Sequence, residues 1–324
     1  MRSAEPVRRL AALLLCAVLL LSGCADGSAG AQYKVYFVTK SLDTEFWKAA
    51  IAGANAASAE YNVALTVLGP ETEEDFETQN AYIAQAVEEG ADALVFSAIS
   101  YEENAAAIDA AAGQGVRVVV IDSDVASDSV SVRIGTDNVE AGRMAAAAAL
   151  AAGWETLAVG IVNYDLGSRN GQEREAGLRE VLEADPRVRD IYTINVLTTP
   201  KAAQEGSEQL LKEHPEINVL IGLNEPLAVG TAQAVADLGL AGQVRMVGFD
   251  TNVRCIDLMR DGAVSALIVQ NTYAMGYLGV ESAWKLLEGN AYDPDRLIDT
   301  ATTIVTRDNM FTPESQKALF PFGG

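Results

Sequence analysis

Residues 118–124 read VVVIDSD, a run of four β-branched apolar residues followed at once by an aspartate. An uninterrupted apolar run of this kind is typical of a strand that is buried on both faces of a parallel sheet. Asp122 then stands at the carboxyl end of that strand. The same combination, a short apolar run closed by a planar polar side chain, recurs along the chain and indicates the fold class.

Outward from this stretch, short β-branched runs alternate with longer amphipathic or alanine-rich stretches. The predicted strands cover residues 35–39, 63–68, 93–97, 116–121, 131–134, 157–162, 189–196, 219–223, 245–249, 266–269 and 302–306. The predicted helices cover residues 46–61, 71–89, 102–114, 139–152, 169–184, 201–213, 225–238 and 273–287. This alternation predicts an α/β protein with parallel sheets and right-handed crossovers. About ten strands are more than one compact doubly wound sheet usually holds, so we expect two similar lobes.

Composition excludes several classes of function. The chain has 324 residues, with 23 Lys and Arg against 45 Asp and Glu, and a formal net charge of −22. This charge argues against a nucleic-acid partner, because a polyphosphate would be repelled. A single histidine, His214, leaves little room for a Ser-His-Asp triad or a histidine-rich metal site. The P-loop, dinucleotide-binding, nucleophile-elbow and zinc-protease motifs do not occur. We therefore expect no catalysis, no cofactor and no metal.

The amino terminus is predicted to be a signal peptide, over residues 1–23. Three arginines precede an apolar stretch of 12 residues at 10–21, which is shorter than the about 20 residues that span a bilayer. The sequence LSGC at 21–24 resembles a bacterial lipobox, which implies that Cys24 is lipidated and anchors the mature protein. An ordinary signal peptide with an incidental cysteine is the alternative. Residues 24–32 are small and polar, as in a flexible tether.

Polar side chains follow four of the predicted strands, and an aromatic pair follows the first. Ligands of open α/β sheets bind outside the carboxyl ends of the strands, where these side chains would meet. Carboxylate and carboxamide groups can each engage two neighbouring hydroxyls, and an aromatic face can pack on the C–H face of a sugar ring. A polyol or sugar site is therefore expected from Asp122, Asn224, Asp250, Gln270, Phe46 and Trp47.

Over residues 33–310 the chain resembles the type I periplasmic-binding-protein family, in particular ribose-binding-protein-like solute-binding proteins of sugar ABC transporters. The resemblance is carried by SLDTEFWKAAIAGA (41–54), VVVIDSD (118–124), IGTDNVEAG (134–142), GSRNGQEREAGL (167–178), GLNEPLAVG (222–230), VGFD (247–250) and SALIVQ (265–270). It implies two Rossmann-like lobes with parallel sheets, joined by a hinge of three crossings near residues 136–138, 270–271 and 299–302. The amino-terminal lobe would then comprise residues 33–136 and 271–299, and the carboxyl-terminal lobe residues 137–270 and 300–324.

The resemblance also assigns candidate ligand-binding residues. It places Phe46 and Trp47 against the sugar ring and Asp122, Asn224, Asp250 and Gln270 at its hydroxyls. Three further candidates stand at positions that depart from the pattern of ribose-binding relatives. Lys40 stands where a small polar residue is common, Ser97 where an asparagine is common, and Gln172 where an arginine is usual, with Arg169 nearby as a substitute. These departures argue against ribose itself and leave a sugar, a polyol or an anionic sugar acid as the ligand.

The resemblance implies a monomeric, extracytoplasmic solute-binding protein that closes around its ligand and presents it to the permease subunits of an ABC transporter. It would be held at the cell membrane only by the lipid on Cys24. The alternative with the same fold is a sensory receptor that presents a sugar or an autoinducer-like furanose to a chemoreceptor or a histidine kinase. A secreted α/β enzyme is disfavoured by the single histidine.

Overall fold

The computed structural model describes residues 32–164 and 166–320. The predicted signal peptide, the predicted lipidation site Cys24 and residues 24–31 of the predicted tether lie outside these residues. Within the described ranges, none of the helices combines the length and the apolar character needed to cross a lipid bilayer.

The first sheet is formed by the early strands of the chain and one late strand. Its strands are β1 (Lys34–Val38), β2 (Ala64–Leu68), β3 (Ala93–Phe96), β4 (Arg117–Ile121), β5 (Val132–Gly135) and β11 (Leu297–Asp299). They lie in the order β11-β5-β4-β3-β1-β2, and every neighbouring pair is parallel. The lobe built on this sheet is called the first lobe below.

The second sheet is formed by the strands of the middle of the chain and the last strand. Its members are β6 (Leu157–Asn163), β7 (Val188–Asn195), β8 (Val219–Gly222), β9 (Arg245–Phe249), β10 (Ala266–Gln270) and β12 (Thr302–Thr306). They lie in the order β12-β10-β9-β8-β6-β7, and the lobe built on them is the second lobe. All pairs are parallel except β10 with β12.

The antiparallel edge follows from the path of the chain. Thr302, the first residue of β12, pairs with Gln270, the last residue of β10. The chain therefore enters the second sheet at the edge where the other strands end, and it must run away from that edge.

Helices cover both sheets. They are α1 (Glu45–Tyr61), α2 (Phe76–Glu88), α3 (Ala105–Gly113), α4 (Asn138–Leu150), α5 (Arg169–Ala184), α6 (Pro200–Glu213), α7 (Glu225–Asp237), α8 (Val253–Arg260), α9 (Thr272–Leu287) and α10 (Pro313–Leu319). In the first lobe, Val35 and Phe37 pack with the helices α1 and α9, while Tyr36 and Val38 pack with α2 and α3. This alternation is the pleat of a strand buried on both faces.

The chain passes between the two sheets three times. The crossings lie between β5 and α4 at residues 136–137, between β10 and α9 at residue 271, and between β11 and β12 at residues 300–301. Helix α4 packs on α5 and the second sheet, whereas α9 packs on α1 and the first sheet. The predicted fold class of two α/β lobes joined by a three-crossing hinge is thereby confirmed.

One helix pair in each lobe packs backbone against backbone. A Cβ atom at Gly276 of α9 would overlap the carbonyl oxygen of Ala50 in α1, and a Cβ at Gly177 of α5 would overlap the carbonyl oxygen of Val139 in α4. Glycine is thus required at these two crossings because any side chain would force the helices apart.

The predicted helix over residues 71–89 begins later than expected. The side chain of Asp75 accepts a hydrogen bond from the backbone N–H of Thr78, which caps the helix so that α2 starts at Phe76. Residues 71–75 are therefore a loop. The loop carries Glu73, whose position matters for the site.

Candidate functional site

The two sheets direct the carboxyl ends of their parallel strands toward a common cavity between the lobes. The cavity is lined by Lys40, Thr44, Phe46, Trp47, Glu73, Asp122, Tyr164, Asn170, Arg174, Asn224, Glu225, Pro226, Asp250 and Gln270. Its free volume is about 20 Å³, so in this closed arrangement it has room for about one water molecule. The sequence expectation that these strand ends meet was therefore correct.

The structure brings seven of the ten predicted ligand-binding residues to this cavity. They are Lys40, Phe46, Trp47, Asp122, Asn224, Asp250 and Gln270. Ser97 is fully buried behind the cavity wall, where its hydroxyl donates a hydrogen bond of 2.9 Å to Oδ2 of Asp122. It can orient that carboxylate without lining the cavity.

Two predicted residues are not brought to the cavity. Arg169 forms an ion pair of 2.7 Å with Glu173, and its guanidinium lies 5.1 Å from the centre of the Tyr101 ring. Gln172 is exposed, and its amide donates to the carbonyl oxygen of Leu166. Both lie in the first turn of α5, whose inner face presents Asn170 and Arg174 instead.

Asp122 is the polar centre of the wall formed by the first lobe. Its φ of 57° is in the left-handed region, which few residues other than glycine, asparagine and aspartate adopt. Oδ2 lies 3.9 Å from Nζ of Lys40, and Oδ1 accepts a hydrogen bond of 3.2 Å from Nδ2 of Asn170 in the second lobe. The carboxylate therefore connects the two lobes at the floor of the cavity.

Asp250 has the corresponding place in the second lobe. It follows β9 with a φ of 66°, and its Oδ1 accepts a hydrogen bond of 2.7 Å from Nε2 of Gln270. Burial raises the pKa of Asp250 to about 7, against the opposing charge of Arg174 and the hydrogen bond from Gln270. The Oε1 atom of Gln270 is buried and has no hydrogen-bond partner within the described residues.

The aromatic pair opens α1. The rings of Phe46 and Trp47 meet edge to face, with centres 4.9 Å apart and an interplanar angle of 81°. Nε1 of Trp47 donates a hydrogen bond of 2.7 Å to Oε1 of Glu73. Burial of this carboxyl raises the pKa of Glu73 to about 7, although Lys40 and the Trp47 hydrogen bond act in the opposite direction.

Hydrogen bonds between the lobes hold the cavity in a closed state. Nζ of Lys40 donates to Oγ of Ser168 at 2.8 Å, and the backbone N–H of Thr198 donates to Oε1 of Glu74 at 2.7 Å. The carboxylate of Glu225 accepts from the backbone N–H of Phe46 at 2.7 Å. This contact takes the carboxylate of Glu225 out of water, and the burial raises its pKa.

Arg174 lines the cavity but was not among the predicted site residues. It is 1% exposed, its Nε donates to Oδ1 of Asn138 at 2.9 Å, and its Nη1 donates to the carbonyl oxygen of Leu223 at 2.8 Å. Its guanidinium stacks 4.6 Å from the centre of the Phe249 ring. One feature of the sequence could have indicated Arg174. It lies four residues before Leu178, on the buried face of a predicted helix.

Glu73, Tyr164, Asn170 and Glu225 were also missed. Glu225 and Asn170 lie within motifs that the sequence analysis quoted, but neither follows a strand directly. Glu73 lies within the helix predicted over residues 71–89, whose start the structure places later, at Phe76. Tyr164 is buried, and its hydroxyl donates a hydrogen bond of 2.7 Å to Oδ1 of Asn170.

A family model described as a periplasmic binding protein domain matches residues 35–291 of the chain. Among curated proteins, the chain is 26% identical to the D-ribose/D-allose-binding protein of Pseudomonas aeruginosa, over 93% of this chain and 99% of that protein. It is 24% identical to the D-allose-binding periplasmic protein of Escherichia coli, over 78% of this chain and 83% of that protein.

Solved structures give the same result. The fold matches a carbohydrate transporter solute-binding protein from Agrobacterium radiobacter in complex with D-arabinose, with a TM-score of 0.86, 25% identity and coverage of 89% and 99% of the two chains. It also matches an ABC transporter solute-binding protein from Agrobacterium vitis with bound D-fucose, with a TM-score of 0.84, 26% identity and coverage of 88% and 99%.

Proposed function

Since the chain belongs to the periplasmic binding protein domain family, we propose that it is the extracytoplasmic solute-binding protein of a sugar ABC importer. The observation that carries this proposal is the cavity between the lobes, where an aromatic pair faces planar polar side chains from both sheets. The sugar-bound relatives support the same class of ligand.

The polar groups of the cavity suit a molecule with several adjacent hydroxyls. Asp122, Asp250, Asn224 and Gln270 each present two polar atoms in one plane, and Lys40 and Arg174 add donors. The ring of Phe46 offers an apolar face for the C–H side of a sugar. Every buried polar atom of a bound sugar must find a partner here, because an unpaired one costs about 1–3 kcal/mol.

The hinge of three crossings supports a binding mechanism by closure. A sugar that binds to one lobe in the open state would recruit the other lobe, and the contacts between Lys40 and Ser168 and between Glu225 and Phe46 would then form. The closed state is the form that a permease recognises in this proposal. No bond of the sugar is broken, so the protein acts without catalysis.

We propose further that residues 1–23 are a signal peptide and that lipidated Cys24 anchors a monomer to the outer face of the cell membrane, with residues 24–32 as the tether. The proposed lobe boundaries are 33–136 with 271–299 and 137–270 with 300–324. Mass spectrometry of the protein from bacterial membranes tests the anchor, since the expected product begins at a diacylated cysteine.

Thermal unfolding of the purified protein with a panel of pentoses, hexoses, polyols and sugar acids tests the ligand class. A sugar at ~1,000 times its dissociation constant stabilises the folded state by about 4 kcal/mol and shifts the melting temperature by several degrees. Asp250→Ala should abolish the shift, whereas Arg169→Ala should leave it unchanged because Arg169 lies outside the cavity. A shift with an amino acid and none with any carbohydrate would contradict the proposal.

A further inference from the structure

The cavity contains more carboxyl groups than cationic groups. Among the described residues, four carboxyl side chains line it, namely Glu73, Asp122, Glu225 and Asp250, and two cations do, namely Lys40 and Arg174. A cavity for a neutral sugar needs no such excess, and one for a sugar acid would carry the opposite excess. The hydrogen-bond and ion-pair partners of each carboxyl therefore show which carboxyls still lack a donor or a positive charge.

Two of the four carboxyls are compensated by the protein. Asp122 forms the ion pair of 3.9 Å with Lys40 and accepts hydrogen bonds from Ser97 and Asn170. The carboxylate of Glu225 accepts from the backbone N–H groups of Glu45 and Phe46 at the amino terminus of α1, and also from Nδ2 of Asn252 at 2.8 Å.

The other two carboxyls, Glu73 and Asp250, have fewer hydrogen-bond donors. Within the described residues, neither Glu73 nor Asp250 lies within 4.0 Å of a Lys, Arg or His nitrogen. Asp250 has the hydrogen bond from Gln270 and the nearby charge of Arg174. Among the described residues, Glu73 has only the hydrogen bond from Trp47 and the charge of Lys40, which Asp122 already pairs. Glu73 therefore has a single hydrogen-bond donor, and the cation that acts on it is already paired with Asp122.

A second observation points to a donor on the ligand. Oε1 of Gln270 is buried without a partner, and Gln270, which is 5% exposed, lines the cavity. The one buried cavity atom that lacks a partner among the described residues is thus an acceptor. The polar groups of the cavity do not form a metal site, because no three acidic, histidine or cysteine side chains of the described residues converge as metal ligands.

We infer that the ligand is an amino sugar, whose protonated amino group is bound by the carboxylate of Glu73. This inference rests on the proposed sugar-binding function and specifies its substrate class. An ammonium group supplies three donors and the missing positive charge, whereas a hydroxyl supplies one donor and no charge. A bound cation would also offset the burial that otherwise disfavours the ionised form of Glu73.

Isothermal titration of the purified protein with three matched sugars tests the inference. The galactose series comprises D-galactosamine, D-galactose and N-acetyl-D-galactosamine, and the glucose and allose series are built in the same way. We expect the amino sugar of at least one series to bind about tenfold or more tightly than its neutral parent. The N-acetyl sugar, which keeps the nitrogen but loses the charge, should bind no better than the parent.

The variant Glu73→Gln tests whether the preference for the amino sugar depends on the side chain of Glu73. The variant should reduce the ratio of the two dissociation constants to about two or less, while Glu88→Gln, at an exposed residue of the same lobe, should keep the ratio of the wild type. If Glu73→Gln does not fold, the comparison of three sugars on the wild-type protein still decides the inference.

Two results would overturn it. Equal or tighter binding of neutral parents would exclude an amino sugar while the proposed sugar-binding function stands. Binding of no sugar in any series, charged or neutral, together with binding of a different solute class, would exclude both.

Discussion

The carboxylate of Glu225 in the second lobe accepts a hydrogen bond of 2.7 Å from the backbone N–H of Phe46 in the first lobe. Glu225 begins α7, and Phe46 lies in the first turn of α1. The first N–H groups of a helix lack partners within the helix and carry partial positive charge. One buried carboxylate thus completes the start of α1 only when the lobes are closed.

We expect Glu225→Gln to weaken sugar binding by about tenfold, because hydrogen bonds to a charged acceptor contribute about 1.5–3 kcal/mol and closure would lose part of this. Titration calorimetry measures the affinity, and small-angle X-ray scattering should show a larger radius of gyration at equal ligand concentration. Glu155→Gln, at an exposed residue of the second lobe, is the control. Unchanged affinity would mean that Glu225 has no part in closure.

Gly276→Ala should destabilise the protein, because the added Cβ would overlap the carbonyl oxygen of Ala50 where α9 crosses α1. Overpacking of this kind costs about 1–3 kcal/mol, which lowers the melting temperature by several degrees. Gly113→Ala is the matched control, since its Cβ would meet nothing within 4 Å. The control should be neutral or slightly stabilising. Equal melting temperatures for the two variants would contradict the proposed close approach of α1 and α9.

The ligand-free protein should become less stable as the pH rises from about 4.5 to 7. The pKa values of Glu73 and Asp250 are raised to about 7 in the folded state, from 4.5 and 3.8. Within this window the folded state binds more protons than the unfolded state, so the free energy of unfolding decreases with pH and levels off above about 7.

Urea unfolding at a series of pH values measures this decrease, and Glu73→Gln should reduce it by about 1–3 kcal/mol. The substitution removes one of the carboxyls with a raised pKa and keeps the hydrogen-bond acceptor for Trp47. Glu88→Gln should show the pH dependence of the wild type. Identical curves for Glu73→Gln and the wild type would mean that Glu73 titrates normally in the folded protein.

Asn224 has two roles that substitutions can separate. Its Oδ1 accepts a hydrogen bond of 3.1 Å from the backbone N–H of Leu227, which caps α7, and its side chain also lines the cavity. Asn224→Ala should lose both, with about 1 kcal/mol of stability for the cap. Asn224→Ser keeps a capping oxygen but shortens the side chain, so we expect stability close to the wild type and weaker sugar binding. Wild-type affinity in Asn224→Ser would leave Asn224 as a cap only.

Much of the fold follows from local sequence pattern. The strands with continuous apolar runs were predicted within one or two residues, because burial on both faces leaves a compositional signal. The strand β11 was missed, since Leu297–Asp299 is three residues long and largely exposed. The helix α10 has only seven residues and was missed for the same reason, although its start carries Thr312 as a cap.

Whether a site residue could be predicted also depends on the element that carries it. Four of the residues lie at or just beyond strand ends, so parallel topology places each at the cavity edge of its own sheet; they are Asp122, Asn224, Asp250 and Gln270. Side chains on helices and loops depend on rotation and on exact boundaries. Arg169 and Gln172 face away from the cavity because α5 turns Asn170 and Arg174 inward, and Glu73 enters the cavity because α2 begins only at Phe76.

The interleaved path of the chain imposes an order on folding during synthesis. The second lobe receives five of its six strands from the uninterrupted stretch 157–270, so its sheet can form as soon as that stretch is available. The first lobe begins at residue 33 but needs α9 and β11, which end at residues 287 and 299. The lobe whose synthesis starts first therefore cannot reach its native packing until most of the second lobe has been made.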